Sequence, residues 1–356
     1  MILRRLTLHN FRTYGDLDIS FDEGLTIIEG SNAVGKSNLA EAIQFLSLAR
    51  SWRTNEEAIL IKEGESEASI VARVTEGRLT REIEIEFSKA GKKIRINGKP
   101  IRKISELSKV VNVICFSPED VLLFSGSPGE RRNFLDVSLC KQSQDYFNLI
   151  STYHRLLKER NALLKSPQVD MPLLEVITAQ LIDVCEPIVR YRTMYVASLN
   201  TVLPEVLQKI RGVESRAELV YKACARDDGT FREKIRAAFS DALKGDLMRK
   251  TTSVGPHRDD LVFKLDGKDI SDYGSQGENR MAVLALKLAP SFLIENEDKK
   301  PICVLDDVTS ELDAEHVKDL SELLESFPQV FVTTTHLTLD GASYVDVSAN
   351  TAIRRK

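Results

Sequence analysis

The chain has 356 residues and a mass of 40.0 kDa, which is enough for two or three units with their own cores. Hydrophobic residues make up 42% of it and charged residues 29%, a composition that excludes a mainly disordered protein. The net charge of −4 neither requires nor excludes a nucleic-acid partner, because such a partner needs only a local excess of Lys and Arg.

The sequence carries no sign of a membrane span or a secretion signal. The apolar run from Met281 to Leu286 ends at Lys287, well short of the roughly 18 residues that a span requires. Basic residues follow Met1, but no apolar run or cleavage site comes after them, so we expect a cytoplasmic protein. The five cysteines are scattered without a C-x-x-C pair, and we interpret them as buried apolar residues.

The first informative element is a strand, a loop and a helix between residues 25 and 46. Leu25 to Glu29 is a short apolar run typical of a buried strand, and Asn38 to Leu46 has the apolar spacing of a helix. The pattern G-x-x-x-x-G-K-[ST] lies between them and is formed by Gly30, Ser31, Asn32, Ala33, Val34, Gly35, Lys36 and Ser37. A chance glycine-rich turn is the alternative, but it would not need these flanks. The segment therefore predicts a nucleoside triphosphate site.

The residue types of this loop suit a polyphosphate. Its glycines allow the backbone to curl so that N–H groups and the helix N-terminus point at the phosphates. We expect Lys36 to reach the β- and γ-phosphates and the Ser37 hydroxyl to bind Mg²⁺.

The pattern changes twice along the chain. Residues 1–118 read as strands around one helix, with alternating half-buried strands at 81–87 and 93–98, the second closing at an Asn-Gly turn. Residues 119–215 have helical spacing and predict an inserted helical arm, in which Lys165 to Gln168 separates two main helices. Strand patterns return in residues 216–356, where we expect the α/β lobe to resume.

The last third alternates strands and helices. We predict a helix at 279–295, a buried strand at 301–305, a helix at 315–326 and a strand at 329–333. Strands that alternate with helices indicate a parallel sheet.

The strand at 301–305 ends in two carboxylates, Asp306 and Asp307. In a P-loop protein the partner strand brings an acid to the metal ion, so Asp306 is the predicted Mg²⁺ ligand. Asp307 is then the candidate for orienting the attacking water. We predict Lys36, Asp306 and Asp307 as the catalytic residues, with a solvated strand-end turn as the alternative for the two acids.

A second segment suited to anions precedes the helix at 279. Ser275, Gln276 and Gly277 place a hydroxyl and backbone amides at a helix start, although an ordinary N-cap also explains Ser275. One chain with one nucleotide site does not need a second phosphate-binding segment. We therefore expect this segment to contact the nucleotide bound by another copy of the protein. Ser310 to Asp313 would lie at the same interface.

The order of these motifs resembles the ATP-binding-cassette superfamily, and within it the DNA-repair heads related to the SMC proteins. Further segments resemble the RecF family of bacteria, and the resemblance spans essentially the full length. These segments are Asn10–Arg12, Phe116–Asp120, Arg131–Asp136 and Gly255–Leu261. The resemblance implies a P-loop, ABC-type α/β ATPase head of mixed and parallel sheets with flanking helices and an inserted helical arm.

The function implied by this resemblance is an ATP-controlled DNA clamp. Two copies would hold two ATP molecules with Mg²⁺ and grip duplex DNA near single-strand gaps, and weak, DNA-stimulated hydrolysis would release them. RecR and RecO are the implied partners, and RecA loading is the implied outcome. Arg12, Asn38, Ser275, Gln276 and Gly277 would join the nucleotide site. The implied dimer interface contains Ser275, Gly277, Ser310 and Asp313.

Several residues depart from the family pattern or have open roles. Most cassette ATPases carry a glutamate where this chain has Asp307, one methylene shorter, so we expect slow turnover. Glu278 stands where many RecF proteins have Gln, which adds a negative charge near the neighbour's γ-phosphate. His336 is either a γ-phosphate contact or a loop residue. His257 and Arg258 receive no assigned chemistry.

DNA contacts require Lys and Arg on the face between two heads. The candidates are Arg53, Arg78, Lys92, Lys93, Arg95, Arg131 and Arg132. No element that reads bases is apparent, so we expect binding through backbone charge and shape. The alternatives are another ABC-type ATPase, such as a transporter subunit, and an adaptor that holds ATP without acting on DNA. A transporter places S-x-G about a hundred residues after its P-loop, whereas here about 240 intervene.

Overall fold

The computed structural model describes residues 1–225, 229–308, 314–349 and 351–355. The chain folds into two compact units. Unit 1 comprises Met1–Val121, Glu205–Glu214 and Val283–Lys356, and unit 2 comprises Leu122–Pro204 and Ser215–Ala282. Among the described helices, none is long and apolar enough to cross a membrane.

The strands and helices are numbered in chain order. The strands are β1 (Ile2–Phe11), β2 (Tyr14–Ser20), β3 (Gly24–Glu29), β4 (Glu67–Glu76), β5 (Leu79–Ser88), β6 (Gly91–Ile96), β7 (Lys99–Pro100), β8 (Val113–Phe116), β9 (Ala217–Lys222), β10 (Asp260–Leu265), β11 (Lys268–Asp269), β12 (Ile302–Asp306), β13 (Gln329–Thr334), β14 (Ser343–Ser348) and β15 (Thr351–Arg354). The helices are α1 (Lys36–Leu48), α2 (Ile104–Leu107), α3 (Pro128–Gln142), α4 (Gln144–Leu164), α5 (Met171–Arg211), α6 (Phe231–Arg249), α7 (Ile270–Tyr273), α8 (Gln276–Phe292) and α9 (Ala314–Leu324).

Unit 1 begins with an antiparallel sheet of strand order β2-β1-β4-β5-β6-β7. Its strands alternate as predicted: in β5 the side chains of Ile83, Ile85 and Phe87 are buried, and the glutamates between them are not. The predicted Asn-Gly turn connects β6 to β7, and both Asn97 and Gly98 have positive φ, at 50° and 74°. A two-residue hairpin turn of this kind requires that conformation, which explains the residue types.

The second sheet of unit 1 has the strand order β15-β14-β3-β13-β12-β8. Its neighbouring strands are parallel except for the antiparallel pair of β14 and β15. This confirms the parallel sheet predicted from the alternating strands and helices. The two sheets and α1 share one hydrophobic core. Because β3, β12 and β13 are parallel, their carboxyl ends lie at the same edge of the sheet, where Glu29 pairs with Thr334 and Asp306 pairs with Thr333.

Unit 2 consists of helices and a small sheet of strand order β11-β10-β9. The predicted break between the two main helices is present, since α4 ends at Leu164 and α5 begins at Met171. The unit begins at Leu122, close to the predicted start of the helical arm at residue 119. It also contains Ser215–Ala282, however, and residues 216–282 of this segment belong to the ATPase head in the prediction from sequence.

Contacts with distant parts of the chain explain this difference. The Asn200 side chain on α5 accepts a hydrogen bond from the Leu219 N–H at 2.7 Å and donates one to the Leu219 carbonyl at 2.9 Å. Arg192, also on α5, donates to Asp259 just before β10. These bonds tie the small sheet to the helices, and strand periodicity alone could not reveal which partner it would choose.

Candidate functional site

The loop between β3 and α1 has the backbone shape that a phosphate needs. A β-carbon at Gly30 would lie 2.3 Å from the Val347 carbonyl oxygen, so only glycine fits there. Gly35 has φ of 112°, in the region that favours glycine. Helix α1 begins after Gly35 without a side-chain cap, which leaves its first N–H groups for a ligand.

Lys36 lies against this loop. Its Nζ donates hydrogen bonds to the carbonyls of Gly30 at 2.7 Å and Ser31 at 2.8 Å. Burial lowers the pKa of Lys36, and the nearby carboxylates of Asp307 and Asp306 oppose that shift. The loop thus contains a cation whose present partners are carbonyl oxygens, and phosphate oxygens would be stronger acceptors.

Asp306 is the buried acid at the end of β12. Its Oδ1 accepts hydrogen bonds from Ser37 Oγ at 3.0 Å and from Thr333 Oγ1 at 2.6 Å. Burial raises the pKa of Asp306, and the two hydrogen bonds oppose that shift. The structure therefore brings together the two predicted Mg²⁺ ligands, which lie 269 residues apart in the sequence.

The donor set suits a magnesium ion. Mg²⁺ prefers hard oxygen ligands at about 2.0–2.1 Å in octahedral geometry. Ser37 Oγ and Asp306 Oδ1 are such oxygens, and their 3.0 Å separation matches two neighbouring positions around such an ion. Within the described residues, no cluster of three or more His, Cys, Asp or Glu side chains forms an all-protein metal site.

Asp307 follows in a strained conformation. Its φ of 52° is in the left-handed region, which costs a residue other than glycine energy. The Asp307 N–H donates to Thr333 Oγ1 at 3.0 Å, so one hydroxyl on β13 contacts both acidic residues. The sequence analysis did not identify Thr333. It lies at the end of the strand predicted at 329–333, and this position in the predicted parallel sheet could have indicated that it lies near the two acids.

A second missed residue is Glu41 on α1, which is fully buried. Its carboxylate accepts hydrogen bonds from Arg12 Nε at 2.9 Å and Arg12 Nη2 at 2.7 Å, and from the Ser51 hydroxyl. Arg12, a predicted phosphate contact, is therefore bonded to Glu41 beside the P-loop helix. No sequence pattern distinguishes Glu41, because α1 also contains polar residues such as Asn38 and Gln44.

Three further predicted residues, Asn38, Arg53 and His336, form hydrogen bonds near the loop. Asn38 donates to Thr13 Oγ1 at 2.9 Å and accepts from Arg53 at 2.8 Å. His336 is largely exposed, and its Nδ1 lies 2.8 Å from Glu29 Oε1 at the end of β3. The residues Asn32, Ala33 and Val34 form the outer part of the loop, where Asn32 and Ala33 are exposed.

Unit 2 contains the segment Ser275, Gln276 and Gly277 at the start of α8. Glu278 Oε2 accepts from both the N–H and the hydroxyl of Ser275 at 3.0 Å, and the Glu278 N–H donates back to Ser275 Oγ at 3.2 Å. This is a capping box. A β-carbon at Gly277 would meet nothing within 4 Å, so no internal contact requires a glycine there. The predicted interface residues Ser310 and Asp313 lie outside the described residues.

Comparison with known proteins places this site in a family. The model of the RecF/RecN/SMC N terminal domain matches residues 2–348. The DNA replication and repair protein RecF of Halalkalibacterium halodurans is 37% identical over 362 residues, covering 98% of each chain. RecF of Streptococcus gordonii is 37% identical over 341 residues, covering 95% of this chain and 94% of that one. This chain belongs to the RecF family.

Solved structures agree with the family assignment. The recombination mediator protein RecF with ATP, from the RecFOR pathway, is similar with a TM-score of 0.91 and 31% identity, over 99% of this chain and 97% of that one. The Smc head bound to the C-winged helix domain of ScpA is similar with a TM-score of 0.61 at 17% identity, over 100% of this chain and 97% of that one. The latter shows the fold alone. The predicted fold class, an SMC-like ABC-type ATPase head, is confirmed.

The segments Arg131–Asp136 and Gly255–Leu261 contribute to an internal network in unit 2. Arg131 is 9% exposed; it donates to both oxygens of Asp260 at 2.8 and 3.1 Å and to three backbone carbonyls. Arg132 donates to the Asp259 carbonyl at 2.7 Å. The guanidinium of Arg131 is therefore enclosed and paired within unit 2, and little of it is available to a DNA phosphate.

His257 and Arg258 belong to the same internal network. His257 Nδ1 lies 2.5 Å from Tyr153 Oη, and its Nε2 lies 3.0 Å from the Thr252 carbonyl. Burial lowers the pKa of His257 to about 4, so the ring is neutral near pH 7. Arg258 donates to the same carbonyl at 3.1 Å. These contacts give both residues a structural role within unit 2.

The other predicted DNA contacts lie in unit 1, and they differ in exposure and in whether they already form ion pairs. Arg78 and Lys93 are exposed. Lys92 pairs with Glu57, and Arg95 pairs with Glu86 at 2.7 Å and Glu84 at 3.3 Å. Arg53 is partly exposed beside the P-loop helix, 3.5 Å from Glu41.

Proposed function

We propose that this chain is an ATP-dependent DNA-binding protein of recombinational repair and replication. Two copies would close over two ATP molecules and hold duplex DNA near single-strand gaps, and slow, DNA-stimulated hydrolysis would release it. We extend to this chain the RecFOR pathway named for the similar solved structure, with RecR and RecO as partners and RecA loading as the outcome.

The contact between Ser37 Oγ and Asp306 Oδ1 carries the nucleotide part of this proposal. It joins the P-loop to the acidic strand, and the two oxygens would hold Mg²⁺. The ion would neutralise phosphate charge. Lys36 would exchange its carbonyl partners for β- and γ-phosphate oxygens, and Asp307 would orient the attacking water.

The exposed start of α8 supports closure of two copies. Ser275 and Gln276 are exposed, and Gly277 leaves open space where a side chain would stand. Gly277 lies in the first turn of α8, and its missing side chain leaves room for another molecule at the helix N-terminus. We propose that this segment meets the γ-phosphate held by the second copy, with Ser310 and Asp313 at the same interface.

The test is sedimentation velocity of an Asp307→Asn variant, chosen to slow hydrolysis, with and without Mg-ATP and fluorescent gapped duplex. We expect ATP-dependent dimers that bind the duplex, with affinity that falls steeply as salt rises. Ser275→Arg is the control, which should bind ATP and remain a monomer. Binding of ATP by a monomer that ignores DNA at all salt concentrations would contradict the clamp.

The remaining alternative is an adaptor that holds ATP without turning it over. The short side chain of Asp307 is the feature that favours it. Steady-state hydrolysis by wild type and Asp307→Ala distinguishes the two ideas, because an adaptor would show the same residual rate in both proteins.

A further inference from the structure

A cleft of about 460 Å³ opens in unit 1 beside the last hairpin of the antiparallel sheet. It is lined by residues 92–95 of β6 and by residues 100–104, which lead from β7 into α2. A smaller cleft of about 250 Å³ adjoins it, since Lys92 and Ile104 line both. The larger volume is within the range of about 300–1,000 Å³ that is typical of binding sites for small ligands and side chains.

The floor of this cleft is apolar. Ile94 is 8% exposed and belongs to the hydrophobic core, and Ile101 is half-buried against the same core. Ile104 is 44% exposed. Single exposed isoleucines are common, but this one lies in a concavity next to two other isoleucines, where it could enclose an apolar side chain.

The rim of the cleft is basic. Five of its nine lining residues are cations, and in the described part of the chain Lys93, Arg102 and Lys103 form no ion pair. The nearest bonded acid on this segment is Glu106, whose carboxylate accepts from the backbone N–H groups of Arg102 at 3.1 Å and Lys103 at 3.0 Å. The rim therefore keeps an excess of positive charge for an anionic partner.

The same rim is poorly suited to single-stranded nucleic acid. Single strands bind proteins by stacking bases on aromatic side chains, and none of the nine lining residues is aromatic. Lys92 and Arg95 are already paired with glutamates, so the cations of the rim without an ion pair among the described residues are Lys93, Arg102 and Lys103. An apolar floor offers nothing to a phosphodiester, whereas it suits a peptide that carries both carboxylates and an apolar side chain.

The cleft also adjoins a sheet edge. The edge strand β7 has two residues and pairs only with Arg95 and Ile96 of β6, after which the Ile101 N–H donates to the Ile94 carbonyl at 3.1 Å. In the described sheet, β7 does not pair with the first residues of β6, so that part of β6 forms the edge of the sheet. A strand at a sheet edge can pair with the backbone of an extended peptide.

We propose that this cleft binds an extended acidic segment of a partner protein. One apolar side chain of the segment would contact Ile101 and Ile104, and flanking carboxylates would lie against Lys93, Arg102 and Lys103. This interaction goes beyond the proposed ATP clamp and does not require it.

Fluorescence polarisation with short synthetic probes tests the proposal on the full-length protein. The first probe has one Leu flanked by Asp and Glu, the second replaces that Leu with Ser, and the third is a single-stranded oligo-dT of matched charge. The variants are Arg102→Glu combined with Lys103→Glu, and Ile104→Ser. Lys89→Glu combined with Lys109→Glu is the control, because both lysines are exposed on the same unit but outside the cleft.

We expect the Leu probe to bind at least tenfold more tightly than the Ser probe, with affinity that weakens as salt rises. The charge reversal and Ile104→Ser should each weaken it about tenfold or more, and the control pair should not. ATP binding should stay unchanged in all variants, which separates this test from that of the clamp.

Three results would overturn the proposal. Equal binding of the Leu and Ser probes would remove the role of the apolar floor. Tighter binding of oligo-dT, lost in the cleft variants, would identify a nucleic-acid surface instead. Peptide binding that is absent, or that all variants retain, would show that the cleft does not bind acidic peptides.

Discussion

The two units of this protein use buried charged groups in different ways. In unit 1, Lys36 is bonded to carbonyls of its own loop, and Ser37 is bonded to Asp306. These groups lie next to exposed loop residues, where the proposed nucleotide and its metal ion would replace each contact. Glu41 of the same unit, by contrast, is fully buried in its pair with Arg12.

In unit 2, two arginines are buried and paired with acids. Arg192 is 1% exposed and donates to Asp136 at 2.8 Å and to Asp259 at 3.3 Å. Arg160 is fully buried and donates to Asp246 at 2.8 Å. A charged residue is therefore not identified as functional by its type alone, because its burial and its partners decide whether a ligand can reach it.

The largest effect should come from breaking the network of unit 2. Arg192→Met leaves two buried or partly buried acids without their cation, which we expect to destabilise unit 2 by about 3–5 kcal/mol. Urea denaturation, with hydrogen exchange of peptides from both units, measures this. Arg190→Met on the same helix is the control, since its exposed pair with Glu186 is worth less than about 0.5 kcal/mol. Equal losses in both variants would contradict the difference between the units.

Removal of the cation of unit 1 should act on binding instead. Lys36→Ala deletes the phosphate contacts, and we expect ATP affinity to fall about a hundredfold, or about 3 kcal/mol, with little loss of stability. Calorimetric titration of ATP measures the change, with the exposed Lys99→Ala as the control. Unchanged affinity in Lys36→Ala would remove the P-loop assignment.

A smaller effect is expected at Thr333, which we infer to be a positioning residue. Thr333→Val keeps the side-chain volume but removes the hydroxyl that contacts Asp306 and the Asp307 N–H. We expect hydrolysis to slow about tenfold, equivalent to about 1.4 kcal/mol, while ATP affinity without Mg²⁺ stays the same. Thr333→Ser should restore the rate. If Ser fails to rescue, the hydroxyl does not position the acids.

The smallest effect concerns the exposed cap of α8. Glu278→Gln keeps an acceptor for Ser275 but removes a negative charge, so monomer stability should change by less than about 0.5 kcal/mol. We expect ATP-driven dimers to form severalfold more readily, because less charge faces the partner's phosphate. Sedimentation at graded ATP measures this. Weaker dimers in Glu278→Gln would show that the carboxylate assists closure.

Much of the nucleotide site could be predicted because its determinants are local. The strand at 25–29 and the helix after Ser37 are present as β3 and α1, and the acidic strand ends at Asp306 as expected. Glycine conformation and the periodicity of apolar residues depend on neighbours within a few positions.

The partners of charged side chains were not predictable in the same way. Arg131 and Arg132 read as exposed cations, yet Arg131 is enclosed by Asp260, 129 residues further along the chain. Glu41 is equally unremarkable in sequence and is the buried partner of Arg12. Hydrogen-bond partners across such distances depend on packing, which a single sequence does not contain.

The amino-acid sequence by itself determined the P-loop, the acidic strand, the parallel sheet and the family, because each depends on short patterns in a recognisable order. The tertiary structure alone decided that Ser215–Ala282 joins the helices of unit 2, and that Thr333 contacts both acids. It also decided which cations remain available to partners. The physical reason is that burial and pairing of charges arise from contacts between segments far apart in the chain, and only folding brings those segments together.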